Sequence, residues 1–379
     1  MRSLPVLLLL CGSPVWCAAN AERLTRIGPR MKAFVDRGKA AGIVTLISHH
    51  GKVVHLDAQG YLNLEDKTPV KTDTIFEIMS MTKPVTATAI MMLAEEGKLA
   101  LTDPVERHLP EFRGQWVVDG DKRVKPARPI TIRDLLTHSS GLAELPPEGM
   151  GGVQFYFNMN RTLAEAVTIY SQMPLLFQPG AKFQYSNPGI ATLGRIVEVL
   201  SGQPYEQFLE GKIFKPLGMK DSFLFPSEAH HPRIAHVYQV NAAGKLADMG
   251  LGIYRKGARY SFPEGGMYST AADMAAFYQC FLQGGKPLLS KAGHETMLAI
   301  HSGETLQGGS GWGLGWSVTQ NNAGLLDLRS LGSYGHAGAF GTFGWVDPAR
   351  SLTGVFMIQG GATEEARNVF VEMANAAIE

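Results

Sequence analysis

Phe76-Glu-Ile-Met-Ser80-Met-Thr-Lys83-Pro-Val-Thr-Ala-Thr-Ala89 decides how this 379-residue chain is read, because it sets a serine and a lysine three residues apart at the start of a helical pattern. Val85, Ala89, Met92 and Leu93 recur at helical spacing, and Glu95-Glu96-Gly97-Lys98 supplies a polar, glycine-marked stop. Pro84 fits a first turn, whose N–H groups have no partner inside the helix. Ser80 is therefore expected at the positive end of the helix, with the Lys83 amine beside its hydroxyl. A serine needs an adjacent base, and a lysine serves when burial or nearby cations lower its pKa toward neutrality. One S-x-x-K in a chain of this length is about what chance supplies, so the remaining sequence has to decide.

Composition bounds the answer. With 45% hydrophobic and 18% charged residues the chain is globular, and a net charge of +1 gives no reason to expect nucleic acid or an anionic membrane as partner. Residues 1–21 read as a secretory signal: Arg2, an apolar run from Leu4 to Leu10, and Ala19-Asn-Ala21 as a cleavage site near Ala21. The apolar run is too short for a membrane span and no later stretch is long enough, so the expected location is periplasmic or secreted. Cys11 and Cys17 fall inside the signal, which leaves Cys280 alone in the mature chain, within the apolar Phe277–Leu282. An intramolecular disulfide and a cysteine zinc site are thereby excluded.

In order, the pattern predicts an amphipathic helix over Arg23–Ala40 and a hairpin from Ile43 to Tyr61 with its turn at His49-His-Gly51. The paired histidines are read as a solvated loop rather than a metal site. Asp103 is expected to cap a short helix with Pro104 at its first position, and Thr131-x-x-Asp134 to form a capping box. A helical pattern runs from Arg161 to about Leu224, broken by Gln178-Pro-Gly180 and by the tight patch Phe183-Gln-Tyr185-Ser-Asn187-Pro-Gly189. His230–Ser261 reads as a surface excursion, and Ser269-Thr270 with Asp273 as a second capping box. Gly311–Trp316, Gly335–Trp345 and Leu352–Ile358 read as strands, with a closing helix from Thr363 to Ile378. Strands at both ends and helices between them predict an α/β (α+β) architecture, an antiparallel sheet flanked by helices with an all-helical second domain. The expected division is 22–97 with 262–379 for the sheet part and 98–261 for the helical part.

Ser80-Met-Thr-Lys83, Tyr185-Ser-Asn187 and His336-Ala-Gly338 stand in the order that resembles the class C β-lactamases and their relatives, the penicillin-recognising DD-peptidases, D-amino-acid peptidases and family VIII carboxylesterases. Thr131–Leu142, Gln178-Pro-Gly180, Phe214–Met219 and Gly265–Met274 resemble further recurring segments of that superfamily, so the likeness covers almost the whole mature chain. It implies a β-lactamase/transpeptidase-like fold with Ser80 as acylated nucleophile and Lys83 as its neighbour. Tyr185 would share a proton with Lys83, either of them being the resting base. Asn187 would orient Lys83 or bond a substrate carbonyl. No metal and no organic cofactor are implied.

The third motif departs from the antibiotic-hydrolysing pattern, where K-T-G stands in place of His336-Ala337-Gly338. A lysine there holds a β-lactam carboxylate with a full charge, whereas an unperturbed histidine is only about one quarter protonated at pH 7. Gly338 would let substrate lie close to the strand, and the Ala339 N–H would join that of Ser80 as an oxyanion hole. Trp312, Trp316, Phe340, Phe343 and Trp345 form a candidate aromatic rim for an acyl pocket, most of them expected to pack the sheet. The expected activity is that of a carboxylesterase on small esters with weak β-lactam hydrolysis. The alternatives are a β-lactamase, a D-amino-acid or DD-peptidase, and a non-enzymatic penicillin-recognising binding protein. The expected partner is a small ester, amide or β-lactam; the oligomeric state is left open.

Overall fold

Ile43-Val-Thr-Leu-Ile47 and Leu352-Thr-Gly-Val-Phe-Met-Ile358 are apolar without alternation, as a strand covered on both faces requires. In the computed structural model, which describes residues 18–253, 256–303, 306, 309–321, 328–361 and 363–378, they lie side by side within one antiparallel sheet. Its strands are β1 (Gly42–His49), β2 (Lys52–Asn63), β3 (Thr68–Pro69), β4 (Ser310–Trp312), β5 (Ser317–Thr319), β6 (Tyr334–Ala337), β7 (Phe343–Asp347) and β8 (Leu352–Ile358). Their order across the sheet is β4-β5-β6-β7-β8-β1-β2-β3. The helices that position the site and cover the sheet are α1 (Ile27–Asp36), α2 (Thr82–Glu95), α3 (Ile132–Leu136), α4 (Leu163–Tyr170), α5 (Asn187–Ser201), α6 (Ala271–Leu282) and α7 (Thr363–Ala376).

The period of two along each central strand divides its side chains between two layers. Ile43, Ile47, Phe356 and Ile358 pack with Met31 and Phe34 of α1 and Phe370 of α7. Val44, Leu46, Val355 and Met357 join a larger cluster that runs through α6, α2 and α5. Sheet and intervening helices therefore share one continuous apolar core.

Glycine explains where the sequence reading and the strands differ. Gly311–Trp316 is not one strand: β4 ends at Trp312 and the chain turns before β5, with Gly315 at φ 78°. Gly335–Trp345 splits in the same way into β6 and β7 around a turn with Gly341 at φ 98°. The Arg23–Ala40 helix is two pieces, Ala21–Thr25 and α1. The region expected to be all-helical also carries two ribbons, Val117–Asp119 with Lys122–Val124 and Tyr238–Val240 with Leu246–Asp248.

The Thr131–Asp134 capping box forms in both directions. Asp103 does not cap: Pro104 takes that position ahead of the helix Val105–His108, while the Asp103 carboxylate accepts from the Ala100 N–H, Arg107 and His108. Thr270 caps α6, but Asp273 turns away to accept from the Asp221 N–H and the Ser222 hydroxyl. Most of the signal-like segment, including Cys11 and Cys17, lies outside the described residues. Ala19 bridges Ile378, and Asn20 caps the Ala21–Thr25 helix by accepting from the Arg23 N–H. Cys280 is buried. Among the described residues no helix is long and apolar enough to cross a membrane.

Candidate active site

Ser80 sits in a single 3₁₀ turn, Met79–Met81, that runs directly into α2, so Lys83 and Pro84 are the second and third residues of that helix. Met79 has φ 48°, an uncommon conformation for a side-chain-bearing residue and a local strain next to the serine. Ile78 anchors the turn: its N–H donates to the Met267 carbonyl at 2.9 Å, and its carbonyl accepts from the Thr342 hydroxyl at 3.0 Å. Lys83 is fully buried, with Nζ 2.9 Å from Ser80 Oγ and donating to the Glu264 carbonyl at 2.6 Å. Burial pulls its pKa down to about 7, with the carboxylates of Glu264 and Glu144 resisting.

Tyr185 reaches the same point from the segment that precedes α5. Ser186 caps that helix, accepting from the Gly189 N–H at 3.1 Å and donating to the Ala143 carbonyl at 3.0 Å. The Lys83 amine lies 4.8 Å from the centre of the Tyr185 ring, whose hydroxyl interacts with Ser80. Burial raises the Tyr185 pKa well above that of an ordinary phenol, and the interaction with Ser80 only partly offsets it. Burial thus favours the protonated form of Tyr185 and the neutral form of Lys83.

His138 was not anticipated as part of this group. It stacks on Tyr185 at 4.4 Å between ring centres, and its Nδ1 accepts from the Ser186 N–H at 3.0 Å. Its φ of 54° and complete burial mark a ring held in place, and burial lowers its pKa well below that of a free histidine. Trp312 closes the other side, edge-on to both rings, with its indole N–H donating to the Leu136 carbonyl at 3.2 Å. Nothing local in Thr137-His-Ser139 announces this contact; its partner is 47 residues further on, reached only when α3 and α5 pack.

β6 brings the third patch. The carbonyl of Ala337 can only accept, so His336 Nδ1 carries hydrogen and donates to it at 2.7 Å. Burial, and then the Lys83 charge, push the His336 pKa down to about 3, so the ring is neutral across the physiological range. Gly338 follows the strand and starts a turn in which the Gly341 N–H donates to its carbonyl at 2.8 Å. A side chain on Gly338 would run into the Thr342 hydroxyl and the Ile78 carbonyl, so the glycine is required by the strand end lying against the serine turn. Gly338→Ala is expected to push these two apart, slowing the reaction of Ser80 with an acylating probe by about 100-fold; wild-type rates in that variant would show the contact to be dispensable.

Among the described residues, neither the Ser80 nor the Ala339 N–H has a backbone partner. Asn187 opens α5 with its N–H toward the Glu144 carbonyl at 3.4 Å. Lys83 bonds to Ser80 and the Glu264 carbonyl and not to Asn187, so the Lys83-orienting role is not realised here. A cavity of about 510 Å³ opens beside Tyr185, lined among others by Trp312, His336, Phe343, Arg329 and Arg367. Trp316 and Trp345 are completely buried and pack the two layers, whereas Trp312 and Phe343 face the cavity. Among the described residues no group of histidine, cysteine, aspartate or glutamate is placed to hold a metal ion.

The profile of the family described as Beta-lactamase matches residues 29–377. The chain belongs to the beta-lactamase family. It is a serine hydrolase of the kind that works through an acyl-enzyme, on a β-lactamase and penicillin-binding-protein fold. Protein Rv1367c of Mycobacterium tuberculosis is similar at 31% identity over 365 residues, 87% of this chain and 88% of that one. Esterase EstB of Burkholderia gladioli is 34% identical over 206 residues, 52% of this chain and 51% of its own. Among solved structures, EstCE1, described as a hydrolase with promiscuous acyltransferase activity, superposes with a TM-score of 0.81 at 26% identity, covering 94% of this chain and 99% of that one. This beta-lactamase family member thus has esterases among its relatives.

Proposed function

We propose that the protein is a carboxylesterase for small esters without a carboxylate near the scissile bond. Ser80 Oγ attacks the ester carbonyl carbon as its proton passes to Lys83, and the N–H groups of Ser80 and Ala339 receive the oxyanion. Collapse breaks the ester C–O bond, the alcohol leaves with a proton from the Tyr185–Lys83 pair, and water then releases the acid by the same steps in reverse. The low pKa of Lys83 and the high one of Tyr185 favour lysine as the base and tyrosine as the proton donor. The signal-like residues 1–21 support a site of action outside the cytoplasm.

The burial of His336, which disfavours a charge on its ring, is the observation that carries the choice of substrate. A buried imidazole with no charge offers a β-lactam carboxylate no cation on the strand, which leaves Arg329 and Arg367 as the cations of the cavity lining, while Trp312 and Phe343 offer an apolar wall to an acyl chain. Esterase EstB and EstCE1 support the same choice. The test is kcat/KM of the purified protein on a short-chain nitrophenyl ester and on a chromogenic cephalosporin, measured side by side. A ratio strongly favouring the ester is expected; preference for the cephalosporin would mean another anchor for the carboxylate. His336→Lys is expected to raise the cephalosporin-to-ester ratio by about 10-fold to 100-fold, the worth of a charged hydrogen bond, and an unchanged ratio would remove the argument.

A further inference from the structure

Three side chains from the first turns of α2 are tied to one short segment of the chain, Phe262–Met267. Thr86 donates to the Pro263 carbonyl at 2.6 Å, Lys83 donates to the Glu264 carbonyl at 2.6 Å, and Thr82 accepts from the Met267 N–H at 3.2 Å. The segment opens with a tight turn, with Phe262 at φ 50° and the N–H groups of Gly265 and Gly266 both donating to the Phe262 carbonyl. Its apex residue, Glu264, is 1% exposed.

The carboxyl of Glu264 lies at the end of a directed chain of hydrogen bonds. Arg161 can only donate, and does so to the Tyr170 hydroxyl at 2.8 Å; that hydroxyl lies 3.3 Å from the Tyr260 hydroxyl, which donates to Glu264 Oε1 at 2.8 Å. The hydroxyl hydrogens therefore all point toward Glu264. Its second oxygen, Oε2, is buried without a well-formed hydrogen bond, although the Tyr156 hydroxyl interacts with the same carboxyl. Facing the carboxyl are Tyr260, Tyr156 and Tyr170 with Arg161 behind them, Lys83 from α2, Tyr205 from the helix after α5, and Tyr185. A buried carboxyl with one oxygen poorly bonded is driven toward its neutral form, and burial raises Glu264 to about 7, against the pull of Tyr260, Lys83 and Arg161. Lys83 and Glu264 thus change protonation in the same range, each biasing the other.

We propose that Glu264 is a positioning residue of the serine machinery: its carbonyl fixes the Lys83 amine beside Ser80, and its buried carboxyl, held by Tyr260, biases the proton occupancy of that amine. It acts through Lys83 and has no contact with substrate. The inference rests on the reading of Ser80 and Lys83 given above. The sign follows from the charges. An ionised Glu264 favours the Lys83 ammonium, so removing the carboxylate lowers the Lys83 pKa. The limb over which Ser80 becomes reactive, as Lys83 gives up its proton with rising pH, then moves to lower pH.

The experiment follows phosphonylation of Ser80 by a fluorophosphonate probe, in which the serine Oγ–P bond forms, the P–F bond breaks and the serine proton passes to Lys83. Rate constants between pH 5 and 9 are compared for the full chain, Glu264→Gln, Tyr260→Phe, Glu264→Asp and Ser80→Ala. In Glu264→Gln the limb should move down by ~0.5 pH unit or more. Tyr260→Phe, which withdraws the donor to Oε1 and so disfavours the carboxylate, should move it in the same direction by less. Glu264→Asp, which keeps the charge, should return it toward wild type. A limb unmoved in Glu264→Gln, with Ser80→Ala unlabelled, overturns the role of Glu264 and leaves the serine reading standing. Labelling of Ser80→Ala at the wild-type rate overturns the serine reading itself. Should Glu264→Gln fail to fold, Tyr260→Phe decides alone, an unmoved limb again overturning the proposal.

Discussion

Ser80→Ala is expected to lower ester turnover by about 10⁵-fold or more while leaving the fold in place. The hydroxyl it removes is hydrogen-bonded to Lys83 and interacts with Tyr185, and among the described residues no other serine is hydrogen-bonded to Lys83. The loss is confined to one oxygen of a half-buried side chain, and the apolar contacts of Met81 and Val85 that seat α2 are untouched. Thermal unfolding should therefore change by no more than about 3 °C, a shift expected for a change that removes no core packing. A variant that still turned over ester at a measurable fraction of the wild-type rate would remove Ser80 from the mechanism.

Lys83→Met carries the second large effect, a fall of about 10³-fold to 10⁵-fold in kcat/KM. Tyr185→Phe should cost a similar factor, and the double variant little more than the worse single one, because the two side chains serve one proton-transfer unit. Full additivity in that cycle would separate them. Stability should move the opposite way. Burial lowers the Lys83 pKa from its ordinary value to about 7, so between these two values the unfolded chain binds this proton more readily than the folded one. Stability consequently rises with pH through that window, and at pH 7 the buried amine still carries most of its cost. Methionine has nearly the same volume and no such cost, so Lys83→Met should raise the melting temperature by about 3–6 °C at pH 7, and by less at pH 10.

How much of this was legible in the residues depends on the range of the interaction. β8 and the core of β1 could be read because unbroken apolar runs leave a strand few other places to go. The Thr131 capping box could be read because both partners lie within four residues. Asp103 could not: in sequence it looks like a cap, yet Ala100, Arg107 and His108 compete for the same carboxylate and hold it elsewhere. In the site, motif order brought out Ser80, Lys83 and Tyr185. The carbonyl that holds Lys83 belongs to Glu264, and a backbone acceptor 181 residues away leaves no side-chain signature. His138 escaped for the same reason, as a stacking partner defined only by how two helices pack.

The place of β1 in the sheet also governs how the molecule can be made. Its two neighbours are β2, which follows at once, and β8, whose Ile358 pairs with Ile43 across more than 300 residues of chain. A nascent chain emerging from the ribosome can close the β1–β2 hairpin early, but the other edge of a completely buried strand stays unpaired until residues 352–358 have emerged. Folding of the sheet is thus a late, long-range event with high contact order, and slow for that reason. A polypeptide stopped short of residue 352 keeps every catalytic side chain named here and still lacks the strand that covers its stickiest edge. Its expected fate is aggregation or capture by a chaperone, so β8 acts as the closure of the fold.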